Sequence, residues 1–274
     1  LSIDTDQAKF TATAAVQSTR NSIYLEFSDL AFEEGFDRGL DLVSTYQVDV
    51  DLCAFYSGRG MVMHTPSGWE TSPQYTVSRC QFNPSNGVAG IVWDTGGESV
   101  ISRCYFGNYA SDASVTPEAA IAAIQLTKCG NTKILGCTFE ANDYMGSNIA
   151  SIILAGCGTV TIDTPKMVTN GRESSHDFIR VQADGGIGCD RLIIDGADIN
   201  GMFIAGRRNF FIRWNGGTGR VIIEAPINQT MAAADRIIPI LAGTGAPGGV
   251  AYQAAFAAKT SDTAVAVTGE TTVY

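Results

Sequence analysis

Short apolar segments recur along the chain with the period-two alternation of β-strands and without the apolar stripe of an amphipathic helix. Gly60-Met61-Val62-Met63-His64 is answered by Gly90-Ile91-Val92-Trp93-Asp94, Ala123-Ile124-Gln125-Leu126-Thr127 and Ser151-Ile152-Ile153-Leu154. Phe178-Ile179-Arg180-Val181-Gln182 and Phe211-Ile212-Arg213-Trp214-Asn215 continue the series, and Gly39-Leu40-Asp41-Leu42-Val43 precedes it. We call these the A strands. Each of the later ones leads into a turn rich in Gly, Asn or Pro and then into a B strand, such as Tyr75 to Phe82, Ser99 to Phe106 or Thr132 to Phe139. The early B strands close on Cys-x-Phe, at Cys53/Phe55, Cys80/Phe82, Cys104/Phe106 and Cys137/Phe139. Those at Thr159 to Asp163, Arg191 to Ile199 and Arg220 to Ile227 keep only the alternation. Seven A/B units can be laid out, with a period in the range of about 20 to 50 residues that marks a solenoid or propeller.

The strand chemistry selects among solenoids. Units rich in Val, Ile, Phe and Thr exclude the helical repeats, and a propeller blade needs about 40 residues for its four strands. Two or three short strands per coil, stacked in parallel on the next coil, fit best. The pattern predicts an all-β parallel β-helix over residues 22–228, with a cap or linker over 1–21 and a cap or association segment over 229–274.

Single positions sharpen the expectation. Aligning the Phe of each B strand puts Val50, Val77, Ile101 and Ile134 in one column and Cys53, Cys80, Cys104 and Cys137 in another. Two residues separate the columns, which would send them to opposite faces of a regular strand. A corner or bulge between them is therefore predicted, returning Cys and Phe to the interior. The cysteines are read as small buried core residues, because their spacing matches no zinc pattern. Their odd number, seven, points to a chain made in a reducing cytosol.

Charge narrows the partners. The net charge of −10 argues against a nucleic-acid backbone as ligand. No run approaches the ~20 apolar residues of a membrane span, so no membrane insertion is expected. Residues 1–20 lack the basic start and long apolar core of a signal peptide. The first residue is Leu rather than Met, which suggests a fragment or processed piece of something longer.

The Gly-initiated A strand, the Gly/Asn turn, the B strand ending in Cys-x-Phe and the Asn soon after it (Asn83, Asn108, Asn142, Asn200) resemble the right-handed parallel β-helix of pectate-lyase-like proteins. Within that superfamily the cytosol-style cysteines, acidic charge, absent signal peptide and Ala/Gly/Thr-rich tail resemble a bacteriophage tailspike. The resemblance implies a virion protein, made in the host cytoplasm and acting outside the cell. It also implies a homotrimer that joins other tail proteins and binds, often cleaving, a bacterial surface polysaccharide. Calcium-dependent lyases of the superfamily carry a cluster of acids on one strand face; no such cluster is assembled here, so no metal or other cofactor is expected. Small residues after Asn228, among them Ala232, Ala233, Ala254 and Ala255, suit the trimer contact.

A site is expected on the outside of the coils. If Met61, Met63, Ile91 and Trp93 face inward, His64 and Asp94 are outward neighbours on adjacent strands. The following turns add Trp69, Glu70 and Glu98. This is a glycosidase inventory: Asp94 with Glu70 or Glu98 as acid and base, Trp69 to stack on a sugar, and His64 to orient a hydroxyl. A His64–Asp94 pair can equally be a satisfied surface contact. Loops after the B strands offer Tyr109, Asp112 and Glu118, then Glu140, Asp143 and Tyr144, and later Glu173, His176 and Asp177.

Arginines support a different chemistry. Arg79 and Arg103 share a corner position, and Arg180 and Arg213 share an outward A column, where like charges repel unless acids or an anionic ligand separate them. Such arginines could neutralise a uronate in a polysaccharide lyase. Three classes thus stay open: a depolymerase of endoglycosidase type, a polysaccharide lyase, and a non-enzymatic receptor-binding or structural spike.

Overall fold

The structure, a computed structural model, describes residues 14–18, 22–33, 37–43, 45–64, 73–83, 89–107, 121–141, 149–169, 177–198, 210–228 and 238–242. Among them every regular element is a strand, and the long sheets are parallel. The arrangement is that of a β-solenoid.

The A strands build a nine-stranded sheet. Its members, in spatial order, are β1 (Ala14–Ser18), β4 (Arg38–Val43), β7 (Arg59–His64), β10 (Ala89–Gly96) and β13 (Ile121–Cys129). Then follow β16 (Ile149–Ala155), β19 (Asp177–Gln182), β21 (Phe210–Trp214) and β23 (Ile238–Ala242). The ladder thus runs past both ends of the 22–228 span, since β1 pairs β4 and β23 pairs β21.

The first six B strands each divide into two columns of a second, fourteen-stranded sheet, while the last two run on as single strands. The B column holds β2 (Ser22–Ser28), β5 (Thr45–Asp51), β8 (Gln74–Ser78), β11 (Ser99–Ser102), β14 (Thr132–Leu135), β17 (Cys157–Asp163), β20 (Ile187–Asp198) and β22 (Thr218–Asn228). The C column holds β3 (Ala31–Phe32), β6 (Ala54–Phe55), β9 (Gln81–Phe82), β12 (Tyr105–Phe106), β15 (Thr138–Ala141) and β18 (Lys166–Thr169).

The predicted corner lies between these two columns. Asp29, Leu52, Arg79, Arg103 and Thr164 have positive φ there, as do Gly136 and Gly196. A left-handed residue turns the chain while its N–H still reaches the next coil. Arg79 N donates to Ser102 O (3.0 Å), Arg103 N to Leu135 O (2.8 Å) and Gly136 N to Asp163 O (2.9 Å). The corner costs no hydrogen bond.

The cysteines belong to the same device. Cys53, Cys80, Cys104 and Cys137 each follow a left-handed residue, and each thiol faces the carbonyl two residues back, at 3.4, 3.2, 3.3 and 3.6 Å. A second thiol column, Cys129, Cys157 and Cys189, stands where the A strands turn into the B column. There Lys128 and Gly156 are the left-handed residues. A Cys side chain is small enough for the tight corner and supplies a weak donor.

All seven thiols are buried and unbridged. The neighbouring thiols of Cys137 and Cys80, with burial added, push the Cys104 thiol well up, and burial pushes Cys189 up. Thiols enclosed in the core are inert to reagents in solution. A thiol reagent should therefore leave the native chain unlabelled and modify all seven after denaturation; fast native labelling of the Cys53 to Cys137 column would contradict the register.

Inside the coils, aromatic rings stack along the axis. Phe32, Phe55, Phe82, Phe106 and Phe139 follow one another at centroid distances of 4.6, 4.7, 4.9 and 5.2 Å with interplanar angles of 9° or less. At the next coil Met167 takes the Phe place. The stack then crosses to the A strands, where Phe178 meets Phe139 edge-on at 5.5 Å and stacks on Phe211 at 5.3 Å. This exchange explains the glycines that open the early A strands. A Cβ at Gly60 would lie 2.5 Å from Phe82 Cδ1, and one at Gly39 would lie 2.8 Å from Phe55 Cδ1. In the coils of Phe55 and Phe82 the A strand has no room for a side chain at this position, and in the coil of Phe139 the same register position holds only the small Ala123.

Candidate functional site

On the A sheet, Met61, Met63, Ile91 and Trp93 are fully buried, and His64 and Asp94 are partly exposed as expected, whereas Val62, expected outward beside His64, is buried. Asp94 is the direct register partner of His64. The ion contact of His64 goes elsewhere: its Nε2 stands 3.5 Å from Oδ1 of Asp41, a carboxylate that Arg38 also engages at 2.6 Å. Asp41 is the register partner of Val62 and so lies diagonally across from His64. Glu70, Trp69, Tyr109 and Tyr144 lie outside the described residues, as do Asp112, Glu118, Asp143, Glu173, His176 and the alanines named for the trimer contact. Glu140, assigned from sequence to a loop, is in β15 opposite Val168.

The outward arginines at the far end of the A sheet are held by an acid. Arg180 and Arg213 are register partners, and both grip Asp177. Arg180 donates from Nε and Nη2 to Oδ2 at 2.9 and 2.7 Å, and Arg213 donates from Nε to Oδ1 at 2.9 Å. Asp177 and Arg180 are buried, at 1% and 4% exposure. Stacked guanidinium groups are tolerable because this carboxylate lies between them.

Glu98 belongs to another face. The chain turns at Thr95, which has positive φ, and brings Glu98 out ahead of β11. There it lines two adjoining cavities of about 700 and 390 Å³ on the outside of the B column. Gln74, Glu98, Asn131 and Thr159, from four successive coils, line both. Tyr46 and Asp190 extend the first, while Gln47 and Lys133 extend the second. Asp94 lines neither. The period of two that fills the core with Val77, Ile101, Ile134 and Ile162 sends the alternate residues Thr76, Val100, Lys133 and Thr161 outward in register. The result is a polar trough along the coil axis, with amide, hydroxyl and carboxylate groups repeated every ~4.8 Å.

Among the described residues two carboxylates line these cavities, Glu98 and Asp190. Register carries Ser99 through Thr132 and Val160 to Leu192, so three strand spacings, about 14 Å, separate their backbones. Glycosidase carboxyl pairs work at about 5 to 9.5 Å. The spacing suits ligand contact better than a paired acid and base.

The trough ends at the corner to the C column. Arg79 and Arg103 are both exposed there, as expected. Arg79 is committed: its Nε donates to Asp51 Oδ1 at 2.9 Å, its Nη2 engages Oδ2, and Ser78 donates to Oδ1 at 2.6 Å. These hydrogen bonds, Arg79's first, hold the Asp51 carboxyl below the usual range. Among the described residues Arg103 has no carboxylate within ion-pair distance. No group of three or more His, Cys, Asp or Glu among them could hold a metal, and no helix there is long and apolar enough to cross a membrane. In comparisons with known proteins, no family model, no curated protein and no solved structure matches the chain.

The trough is not legible from sequence alone, because Gln, Asn and Thr on outward positions read as ordinary surface. Their recurrence one per coil was the available signal.

Proposed function

We propose that the chain is the β-solenoid part of a bacteriophage tailspike. On this reading it binds a bacterial surface polysaccharide along the outer face of the B column and acts as a homotrimer on the virion. The coils wind right-handed, the hand that crossover connections between parallel strands of one sheet adopt in nearly all cases. The supporting observation is the polar trough: Gln74, Glu98, Asn131 and Thr159 offer a linear polymer one hydrogen-bonding group per coil on a rigid scaffold. Such sites suit sugars, whose hydroxyls both donate and accept.

Binding is the primary activity proposed. Cleavage, if the chain performs it, would run through Asp94, on the neighbouring face, with Glu70 as its partner carboxylate. New reducing ends without an unsaturated uronate absorbance would signal hydrolysis, and that absorbance would signal elimination. Neither product together with tight binding leaves a receptor-binding spike. The test is retention of labelled capsular and O-antigen polysaccharides by the purified chain. Asn131→Ala and Gln74→Ala should each weaken retention about tenfold, the loss of one or two hydrogen bonds, with little change in melting temperature. Full retention by both variants would remove the trough as the binding face.

A further inference from the structure

The corner at the edge of the trough contains a gap with a chemical polarity of its own. A cavity of about 490 Å³ lies over it, lined by Ser102, Arg103, Leu135, Gly136, Asp163 and Thr164 together with the Ser78–Arg79 turn. Arg103, Gly136 and Thr164 hold the same left-handed corner position on three successive coils. The middle one has no side chain, and a Cβ placed on it would meet nothing within 4 Å. The gap between Arg103 and the Asp163–Thr164 pair is thus two strand spacings, about 10 Å. That length accommodates one pyranose ring bearing a carboxylate.

The two ends of the gap differ. Arg79 is neutralised by Asp51, whereas Arg103 has no carboxylate partner among the described residues. Its guanidinium presents fixed N–H donors to an anion, with the Ser102 hydroxyl beside it. At the far end stand an acceptor, the Asp163 carboxylate, and the Thr164 hydroxyl. A sulfate or phosphate would satisfy the first end and leave the second, two strand spacings away, without a partner. A sugar acid satisfies both, with its carboxylate on Arg103 and a ring hydroxyl donating to Asp163.

We infer that this notch over Gly136 is a subsite for a uronic acid residue or another carboxylate-bearing sugar of the bound glycan. This inference rests on the polysaccharide reading above and narrows its substrate to an acidic polymer. Arg103 and Asp163 are binding groups here, and no bond is made or broken.

The test uses the full chain with ¹⁵N-labelled arginine and three small probes: methyl glucuronide, methyl glucoside and inorganic sulfate. The Arg103 Nε–H resonance should shift saturably with the glucuronide, and at least about tenfold more weakly with the glucoside or sulfate. Arg103→Gln should lower glucuronide affinity about tenfold, followed on neighbouring backbone amides. Gly136→Asn, which keeps a residue type tolerant of positive φ but fills the gap, should do the same without unfolding the chain. Equal affinity for sulfate, no shift with the glucuronide, or full affinity in both variants would overturn the inference. Glucuronide binding by a chain that retains no polysaccharide would keep the notch and remove the polysaccharide reading. Polysaccharide retention with no response to the glucuronide would do the reverse.

Discussion

Replacing Asp177 by Asn should destabilise the last coils by about 3–5 kcal/mol, the usual effect of removing one partner from a buried ion pair. The variant keeps the shape of the side chain and removes its charge. Two guanidinium groups on adjacent strands would then face each other, Arg180 at 4% exposure and Arg213 partly exposed. In a repeat protein the effect need not spread over the whole molecule, because each coil contacts only its neighbours. Amide hydrogen exchange should therefore accelerate in β19 and β21 while β5 and β8 keep their protection. Arg213→Gln, at the better solvated site, should cost about 1 kcal/mol. Unchanged exchange in β19 for Asp177→Asn would mean that the cluster contributes no net stability.

Phe82→Ala should be comparably severe, about 3–5 kcal/mol, since it opens a cavity in a continuous ring stack. Phe82 is fully buried between Phe55 at 4.7 Å and Phe106 at 4.9 Å. The same ring fills the space above Gly60, so Gly60→Ala should also destabilise the chain. The two changes together should cost less than their sum, because the Cβ at 60 would enter the cavity that the lost ring leaves. Relief stays partial: that Cβ would still lie 2.6 Å from the carbonyl of Gly90. Denaturant unfolding of the two single variants and the double variant measures the coupling. Strict additivity would separate the glycine pattern from the phenylalanine stack.

The fold was legible because its determinants repeat. Val77 and Cys80 recur on neighbouring coils at the same offset from Phe, and that offset alone requires a corner. Its left-handed backbone was harder to see, since Leu52, Arg79 and Arg103 are not residues that advertise positive φ. Only Gly136 and Gly196 in the same column do so. The thiol column of Cys129, Cys157 and Cys189 escaped notice because these residues have no Phe two places on. They sit at a different corner and meet the same need there.

The candidate site was legible in register and not in partnership. His64 and Asp94 are neighbours as the alternation predicts, yet the side chain of His64 reaches diagonally to Asp41. Backbone register fixes which residues are adjacent, and χ angles then choose among straight and diagonal partners. Arg180 and Arg213 form the outward column expected of them, and their neutralising acid is Asp177, three residues before Arg180 on its own strand. Glu98 was grouped with Asp94 because only three residues separate them. The turn at Thr95 sends them to different faces.

The most direct test of polysaccharide binding along the B column is the dependence of affinity on glycan length. Oligosaccharides graded in size from a retained surface polysaccharide can be titrated calorimetrically into the chain. With one contact per coil at ~4.8 Å, affinity should rise with each added sugar until the ligand spans the trough from Gln47 to Asp190, about six residues, and then level off. Full affinity already at a disaccharide, or no polysaccharide retained at all, would contradict the account.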